Sequence, residues 1–193
     1  MSVLLAEKGM KVIGVARREE LLQKLSKRIL QNDKVIQNNG TFIPLKSDVT
    51  SQDDLELIHE KVNQLGGKLD LLVNNAGRGY DSLLMDGDLK YERELLELNV
   101  ISPLALARTL QGSLSKSSPT GVPTIVNVSS IVGYYPLQAI GFYSATKAAL
   151  SSMTISMRSD LKASGIHVIG CHPGMTSTAF NVASERNIED ARP

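Results

Sequence analysis

Short apolar runs alternate along this chain with longer segments whose apolar residues recur every three to four positions, and no other feature narrows its fold so far. Residues 10–16 form a β-rich run closed by Arg17 and Arg18, and Leu22, Leu25 and Ile29 then mark one face of a helix over residues 19–30. Residues 41–45 read as a second strand, placed near an edge by Pro44, and lead into Asp48-Val49-Thr50. Ser51 and Asp54 have the spacing of a capping box, opening a helix faced by Leu55, Ile58, Val62 and Leu65 and stopped at Gly66-Gly67. Residues 69–73 are the next strand. Asn74-Asn75-Ala76-Gly77 follows it, then a helical stretch over residues 91–110 that Pro103 should kink or interrupt. A polar surface loop, residues 112–123, precedes a strand at 124–128 that delivers Ser129-Ser130. A helix over residues 143–163 is expected to bury Ala149, Met153, Met157 and Leu161, and the last strand, residues 166–170, runs into Cys171-His172-Pro173-Gly174.

Strands joined by helices of this length pair as parallel crossovers, so the expected architecture is a parallel α/β sheet covered on both faces. The runs at residues 71–73 and 125–128 alternate little, as strands buried on both sides do. With 193 residues, 42% hydrophobic and 21% charged, the chain can bury the core of one such domain over residues 1–193. Composition also excludes classes. Twenty-one basic against twenty acidic residues leave a net charge of +1, without the basic excess of a nucleic-acid binder, and five Tyr and three Phe are too few for a base-stacking platform. A single cysteine, Cys171, rules out an internal disulfide and a thiolate zinc cage, which suits a reducing, cytoplasmic location. His59 and His167 lack partners at ligand spacing, so no metal is expected. No run reaches the roughly 18 apolar residues of a membrane span, which leaves open only an anchor in a preceding segment.

Ligands of open parallel sheets bind outside the carboxyl ends of the strands. That rule selects Arg17-Arg18, Asp48-Val49, Asn75-Ala76-Gly77, Ser129-Ser130 and Pro173-Gly174. Tyr143 and Lys147 stand one helical turn apart on the same face. A free tyrosine ionises near pH ~10 and shuttles protons poorly at neutrality, whereas an ammonium within about 4–6 Å favours the phenolate. Singly, each feature has a plainer reading. Tyr143 and Lys147 could be a surface pair, Ser130 a cap (a role Ser129 could also fill), Asn99 a helix-interior residue bonding backbone, Asn74 to Gly77 a turn, and Arg17-Arg18 a solvated helix start.

In order along the chain, Asp48-Val49, Asn74-Asn75-Ala76-Gly77, Asn99, Ser130, Tyr143-x-x-x-Lys147 and Pro173-Gly174-x-x-x-Thr178 resemble the classical short-chain dehydrogenase/reductase family over nearly the whole sequence. The resemblance implies a Rossmann-type, doubly wound, three-layer parallel sheet and an NAD(P)(H)-dependent oxidoreductase that interconverts a carbonyl and an alcohol. It implies that Tyr143 exchanges the proton with the substrate oxygen, that Ser130 holds that oxygen, that Lys147 lowers the pKa of Tyr143 and grips the nicotinamide ribose, and that Asn99 anchors a water in the proton relay. Asp48 and Val49 would face the adenine, Asn75, Ala76 and Gly77 the adenosine ribose and backbone, and Pro173, Gly174, Thr176 and Thr178 the nicotinamide end. An acidic residue usually marks an NAD site at the end of the second strand. Here Arg17 and Arg18 stand there, and a guanidinium pairs with a phosphate, so NADP(H) is favoured over NAD(H). The family's helices bearing the counterparts of Asn99 and Tyr143 commonly pair across subunits, implying a homodimer or homotetramer. The substrate is a small carbonyl or alcohol, and residues 133–137 suggest an apolar wall for it.

The pattern departs from the family at both ends. The turn Thr-Gly-x-x-x-Gly-x-Gly is not in the sequence, and residues 1–9 read as the remainder of the helix that follows it. The first strand, its glycine-rich turn and the last strand are therefore expected to be lacking. His172 stands where the family often has Asn and reads as a tolerated substitution. Two functional readings follow: an NADP(H)-dependent reductase or dehydrogenase with Asn99, Ser130, Tyr143 and Lys147 intact, or an inactive short product serving as a binding or dimer-forming partner.

Overall fold

A computed structural model of the protein describes residues 1–114 and 121–174. Its contacts divide the chain into two compact units, Met1–Ile58 and His59–Pro193, where the sequence suggests a single domain. Each is described by itself.

The first unit is built on two parallel strands, β1 (Lys11–Ala16) and β2 (Thr41–Lys46), in register from Lys11 opposite Thr41 to Ala16 opposite Lys46. Pro44 pairs with Gly14 in a strand with one neighbour, the edge position that its missing N–H favours. Helix α1 (Ser2–Glu7) forms where a helix remainder is expected, and α2 occupies Glu19–Leu30 as its periodicity requires. Ala6, Leu22, Ile29, Val35 and Phe42 make the core. Val35 comes from α3 (Asp33–Gln37), a helix too short for its periodicity to show; its signal is Asn32, whose side-chain oxygen accepts from the N–H groups of Lys34 and Val35. Helix α4 (Gln52–Gln64) begins at Ser51, whose hydroxyl accepts from Asp54 N–H at 3.4 Å. The carboxylate of Asp54 does not complete the box. It accepts instead from Asp48 N–H at 2.6 Å, fastening the end of β2 to the helix. The boundary between the units falls within α4.

The second unit carries three parallel strands, β3 (Leu71–Asn74), β4 (Thr124–Val128) and β5 (His167–Cys171), with β4 central. Leu72, Ile125 and Val168 lie in one register row and are sealed from solvent, whereas Val73 and Val126 are half-buried and Ile169 is exposed. Hydropathy is uniform along these strands, but burial alternates, the sealed row being the one beneath α6 (Ser102–Leu114) and α7 (Gly141–Asp160). Two residues on, the same face holds Asn74 and Asn127. Asn74 Nδ2 donates to Asn127 Oδ1 at 2.8 Å and to the Pro103 carbonyl at 3.3 Å, and Asn127 Nδ2 donates to Thr154 Oγ1 at 2.9 Å. These bonds fasten both helices to the sheet from within and offset the cost of burying the two carboxamides.

Two helices differ from their sequence reading. The stretch expected over residues 91–110 is α5 (Leu89–Leu96), a π turn at Glu97–Ile101 and then α6. The interruption expected at Pro103 is the π turn itself, which ends at Ile101, just before that residue in the first turn of α6. This widened turn contains Asn99. In α7 only Met157 of the expected apolar row is fully buried; Ala149, Met153 and Leu161 are half-buried. Ser144, Lys147, Leu150, Ser151 and Thr154 face inward instead, because the end of β4 offers that face hydrogen-bonding partners.

Candidate active site

Within the second unit, β4 ends in Ser129-Ser130 and the two hydroxyls part company. Ser129 is buried, bonded to the Lys147 carbonyl and to Ser151 Oγ, both at 2.8 Å, so it packs β4 against α7. Ser130 turns outward. It caps the short 3₁₀ turn Ile131–Gly133 by accepting from Val132 N–H at 3.4 Å, so its plainer reading as a cap is also true. Its hydroxyl donates to the Pro173 carbonyl at 3.5 Å and lies near enough to the Tyr143 phenol to lower its pKa. The turn it opens lies against α7 so tightly that a Cβ on Gly133 would approach the Lys147 carbonyl carbon to 2.9 Å and Ala148 N to 3.0 Å. Ile131 N–H donates to the Pro173 carbonyl at 3.1 Å, joining the turn to the end of β5.

Tyr143 and Lys147 share a face of α7, with Lys147 Nζ 5.8 Å from the Tyr143 ring centre. Burial raises the Tyr143 pKa above that of free tyrosine, and the Ser130 hydroxyl pulls it part of the way back. The lowering by Lys147 expected from their spacing is not the dominant effect in this arrangement. Burial weighs on the ammonium itself, bringing Lys147 down to about 8, and its Nζ donates to the Val128 carbonyl at 2.9 Å.

Asn99 is fully buried in the π turn and every polar atom of its carboxamide is used. Its Oδ1 accepts from Arg78 N–H, and its Nδ2 donates to the Arg78 carbonyl and to Thr146 Oγ1, each at 3.1 Å. Thr146 in turn donates to the Tyr143 carbonyl at 2.7 Å. The side chain of Asn99 therefore fixes the Arg78 backbone directly and the Tyr143 carbonyl through Thr146. Gly77 completes the group: a Cβ there would stand 3.0 Å from Asn99 Oδ1 and 3.5 Å from Lys147 Nζ. Asn75 and Ala76 are exposed just beyond β3.

The structure thus brings Gly77, Asn99, Ser130, Tyr143, Lys147 and Pro173 into one neighbourhood. Thr146 and Ser151 are supports that the sequence reading passed over, although Thr146 directly precedes Lys147 on α7, and Ser129 proves to be a buried packing residue, not a cap. Thr176 and Thr178 lie outside the described residues. In the first unit, Arg17 and Arg18 follow β1 and are exposed, and Asp48 and Val49 follow β2 beside them. Burial pushes the Asp48 pKa up, but hydrogen bonds from Thr50 N–H and Oγ1 and the nearby Arg17 guanidinium outweigh it, leaving a carboxylate below its ordinary range. The Arg17 to Asp48 contact is 3.5 Å and solvent-exposed, so it holds the guanidinium weakly.

The profile described as short chain dehydrogenase matches residues 1–189. The chain belongs to the short-chain dehydrogenase family. An uncharacterised oxidoreductase from Staphylococcus saprophyticus is 30% identical over 178 residues, which are 92% of this chain and 72% of that protein. Among solved structures, a short-chain dehydrogenase/reductase of unknown function from Caenorhabditis elegans, determined with cofactor, superposes with a TM-score of 0.84 at 28% identity, covering 98% of this chain and 69% of that one. A bulky-bulky ketone specific alcohol dehydrogenase from Comamonas testosteroni gives 0.78 at 25% identity, covering 91% and 67%. The protein is thus a Rossmann-type α/β oxidoreductase of the short-chain dehydrogenase type, in a family that uses nicotinamide cofactors on small-molecule substrates. Among the described residues, no helix is long and apolar enough to cross a membrane.

Proposed function

We propose that this short-chain dehydrogenase interconverts a carbonyl and an alcohol using NADP(H), with Tyr143 as its general acid and base. The observation that carries the reading is the buried ammonium of Lys147 one helical turn from Tyr143, its Nζ 5.8 Å from that ring, with Ser130 acting on the same phenol. Two hydroxyls from different elements would meet one substrate oxygen, and the pocket floor beside them is shaped by Gly77, where a Cβ would crowd Asn99 and Lys147. That clearance fits a nicotinamide nucleotide approaching the backbone, and the nucleotide, when bound, supplies or accepts the hydride.

The chain's own residues do the rest. Ser130 donates to the substrate oxygen and fixes its distance from Tyr143. In reduction Tyr143 gives its proton to that oxygen, and in oxidation it takes the proton back; its raised pKa keeps it protonated at neutral pH, which suits the reductive direction. Lys147 has three N–H donors, of which Val128 takes one, leaving the others for the ribose and for stabilising the phenolate. Asn99 and Thr146 hold the backbone on either side. In the first unit, Arg17 and Arg18 would take the 2′-phosphate, with Asp48 and Val49 at the adenine; Asn75, Ala76 and Gly77 would meet the adenosine ribose, and Pro173, Gly174, Thr176 and Thr178 the nicotinamide. In this reading residues 1–193 serve as a nucleotide-binding domain that works as a homodimer or homotetramer in the cytoplasm.

An apolar substrate is favoured by the exposed Ile131, Tyr134, Tyr135 and Leu137, which follow Ser130 directly. The name of the Comamonas relative, specific for bulky-bulky ketones, points the same way. The test is isotopic: NADPH deuterated at C4 is supplied with a panel of apolar and small polar ketones. One deuterium on the carbinol carbon, from NADPH in preference to NADH and with apolar ketones preferred, is expected. No transfer from either nucleotide to any carbonyl overturns the reading.

A further inference from the structure

Arg78 directly follows Gly77, and its side chain makes contacts that the chemistry above does not use. The guanidinium lies 4.1 Å over the ring of Tyr91 and donates from Nη2 to Glu94 Oε2 at 2.9 Å. Tyr91 stacks in turn on Tyr80, with ring centres 4.6 Å apart, and Tyr80 Oη accepts from Asp88 N–H at 2.8 Å, at the cap of α5. The backbone of the same residue is gripped through both N–H and C=O by Asn99. One residue is thus fastened twice to a single helical stretch, by its side chain before the π turn and by its peptide within it.

We infer that the Arg78 side chain, clamped between Tyr91 and Glu94, is a positioning device that sets the register of the π turn and thereby the seat of Gly77 against Asn99 and Lys147. The argument is geometric. Glu94 lies before the turn where the helix widens and Asn99 within it, and a widened turn has neighbouring registers in which an inward side chain points elsewhere. Asn99 can meet both backbone polar groups of Arg78 in one register only. A second tie from Arg78, to the helix just before the widened turn, disfavours the alternatives. The ion pair is partly shielded, the Arg78 side chain being 23% exposed, and stacking on Tyr91 restricts the guanidinium further. Because Gly77 is the residue that would meet the nucleotide, the consequence for cofactor affinity rests on the function proposed above; the consequence for the backbone does not.

The test separates these two. Hydrogen exchange of the Arg78 amide is measured in the cofactor-free protein, and NADPH affinity by fluorescence titration, for wild type, Arg78→Ala, Arg78→Lys and Glu94→Gln. Arg78→Ala is expected to speed exchange of that amide about tenfold while amides of β4 and β5 keep their rates, and to weaken NADPH binding about five- to tenfold. Arg78→Lys, which keeps the charge opposite Glu94, should recover part of both. Exchange at the wild-type rate in Arg78→Ala overturns the clamp. Faster exchange with unchanged NADPH affinity overturns its role in seating the nucleotide, and a wild type that binds no NADPH overturns the proposed function while leaving the exchange result to decide the clamp. Should Arg78→Ala fail to fold, Glu94→Gln carries the same comparison: a wild-type exchange rate and NADPH affinity in that variant overturn the inference.

Discussion

Lys147 holds a charge in a place that disfavours charge. Burial lowers its pKa from 10.5 to about 8, and Tyr143 beside it is raised above its ordinary value by the same cause. A cation whose folded pKa is depressed destabilises the fold while both states are protonated. As pH rises from about 8 toward 10.5 the folded state has released that proton and the unfolded state has not, so stability rises; from 10.0 upward the raised tyrosine works in the opposite sense. At about 1.36 kcal/mol per unit, the shift is worth on the order of 3 kcal/mol. Denaturant titrations of the cofactor-free protein should show this alkaline gain, and Lys147→Met should abolish it; a variant with an unchanged slope would remove Lys147 as its source. Catalysis runs against stability here. In the proposed mechanism carbonyl reduction uses the ammonium, so its rate should fall as pH passes upward through about 8, although Tyr143 stays protonated. A reduction rate still flat at pH 9 would show that the charge on Lys147 is not required.

At the scale of elements, the tightest tolerance lies between the 3₁₀ turn Ile131–Gly133 and α7. Gly133→Ala would push a methyl group against the backbone at Lys147 and Ala148, and overpacking of this kind costs about 1–3 kcal/mol. Because Ser130 caps that turn, turnover should fall by more than the loss of stability explains, measured as kcat at a temperature where the variant is fully folded. Equal turnover would mean that Ser130 is placed by something other than this contact. The regular parts of these elements were legible in the sequence. Leu22, Leu25 and Ile29 define α2, and residues 124–128 are β4 to the residue, because burial on a single face imposes a period on composition. The parts that carry the chemistry were less so. The inward face of α7 is mostly polar, since Ser144, Ser151 and Thr154 answer acceptors and donors on other segments, and apolar periodicity cannot register a partner that is distant in sequence. The π turn has the same origin. Nothing in Leu98-Asn99-Val100 announces an extra residue in the turn, but Asn99 needs it to meet Arg78. Motif order singled out Tyr143, Lys147, Ser130 and Asn99 as candidates; that the Asn99 carboxamide is taken by the Arg78 backbone and the Thr146 hydroxyl is visible only in the structure.

At the scale of the molecule, the strands form two parallel sheets, one in each compact unit, and the Rossmann-type fold is shared with relatives of which this chain spans about 72% in the Staphylococcus saprophyticus case. A nucleotide bound by the folded chain should stabilise it. At 100 times its dissociation constant such a ligand adds about 2.7 kcal/mol. Thermal unfolding should therefore shift more with NADPH than with NADH, and replacing Arg17 and Arg18 by glutamate should reverse that order. Equal shifts before and after the replacement would take the 2′-phosphate away from those arginines.

The central claim is that Tyr143 moves the proton, and turnover of Tyr143→Phe tests it most directly. The ring and its packing remain while the hydroxyl on which Ser130 acts is lost. NADPH affinity should stay within a few-fold of wild type, and carbonyl reduction should drop by roughly 10²- to 10⁴-fold, the usual contribution of a positioned acid or base. A variant that binds NADPH and still reduces its substrate at a rate near wild type would contradict the claim.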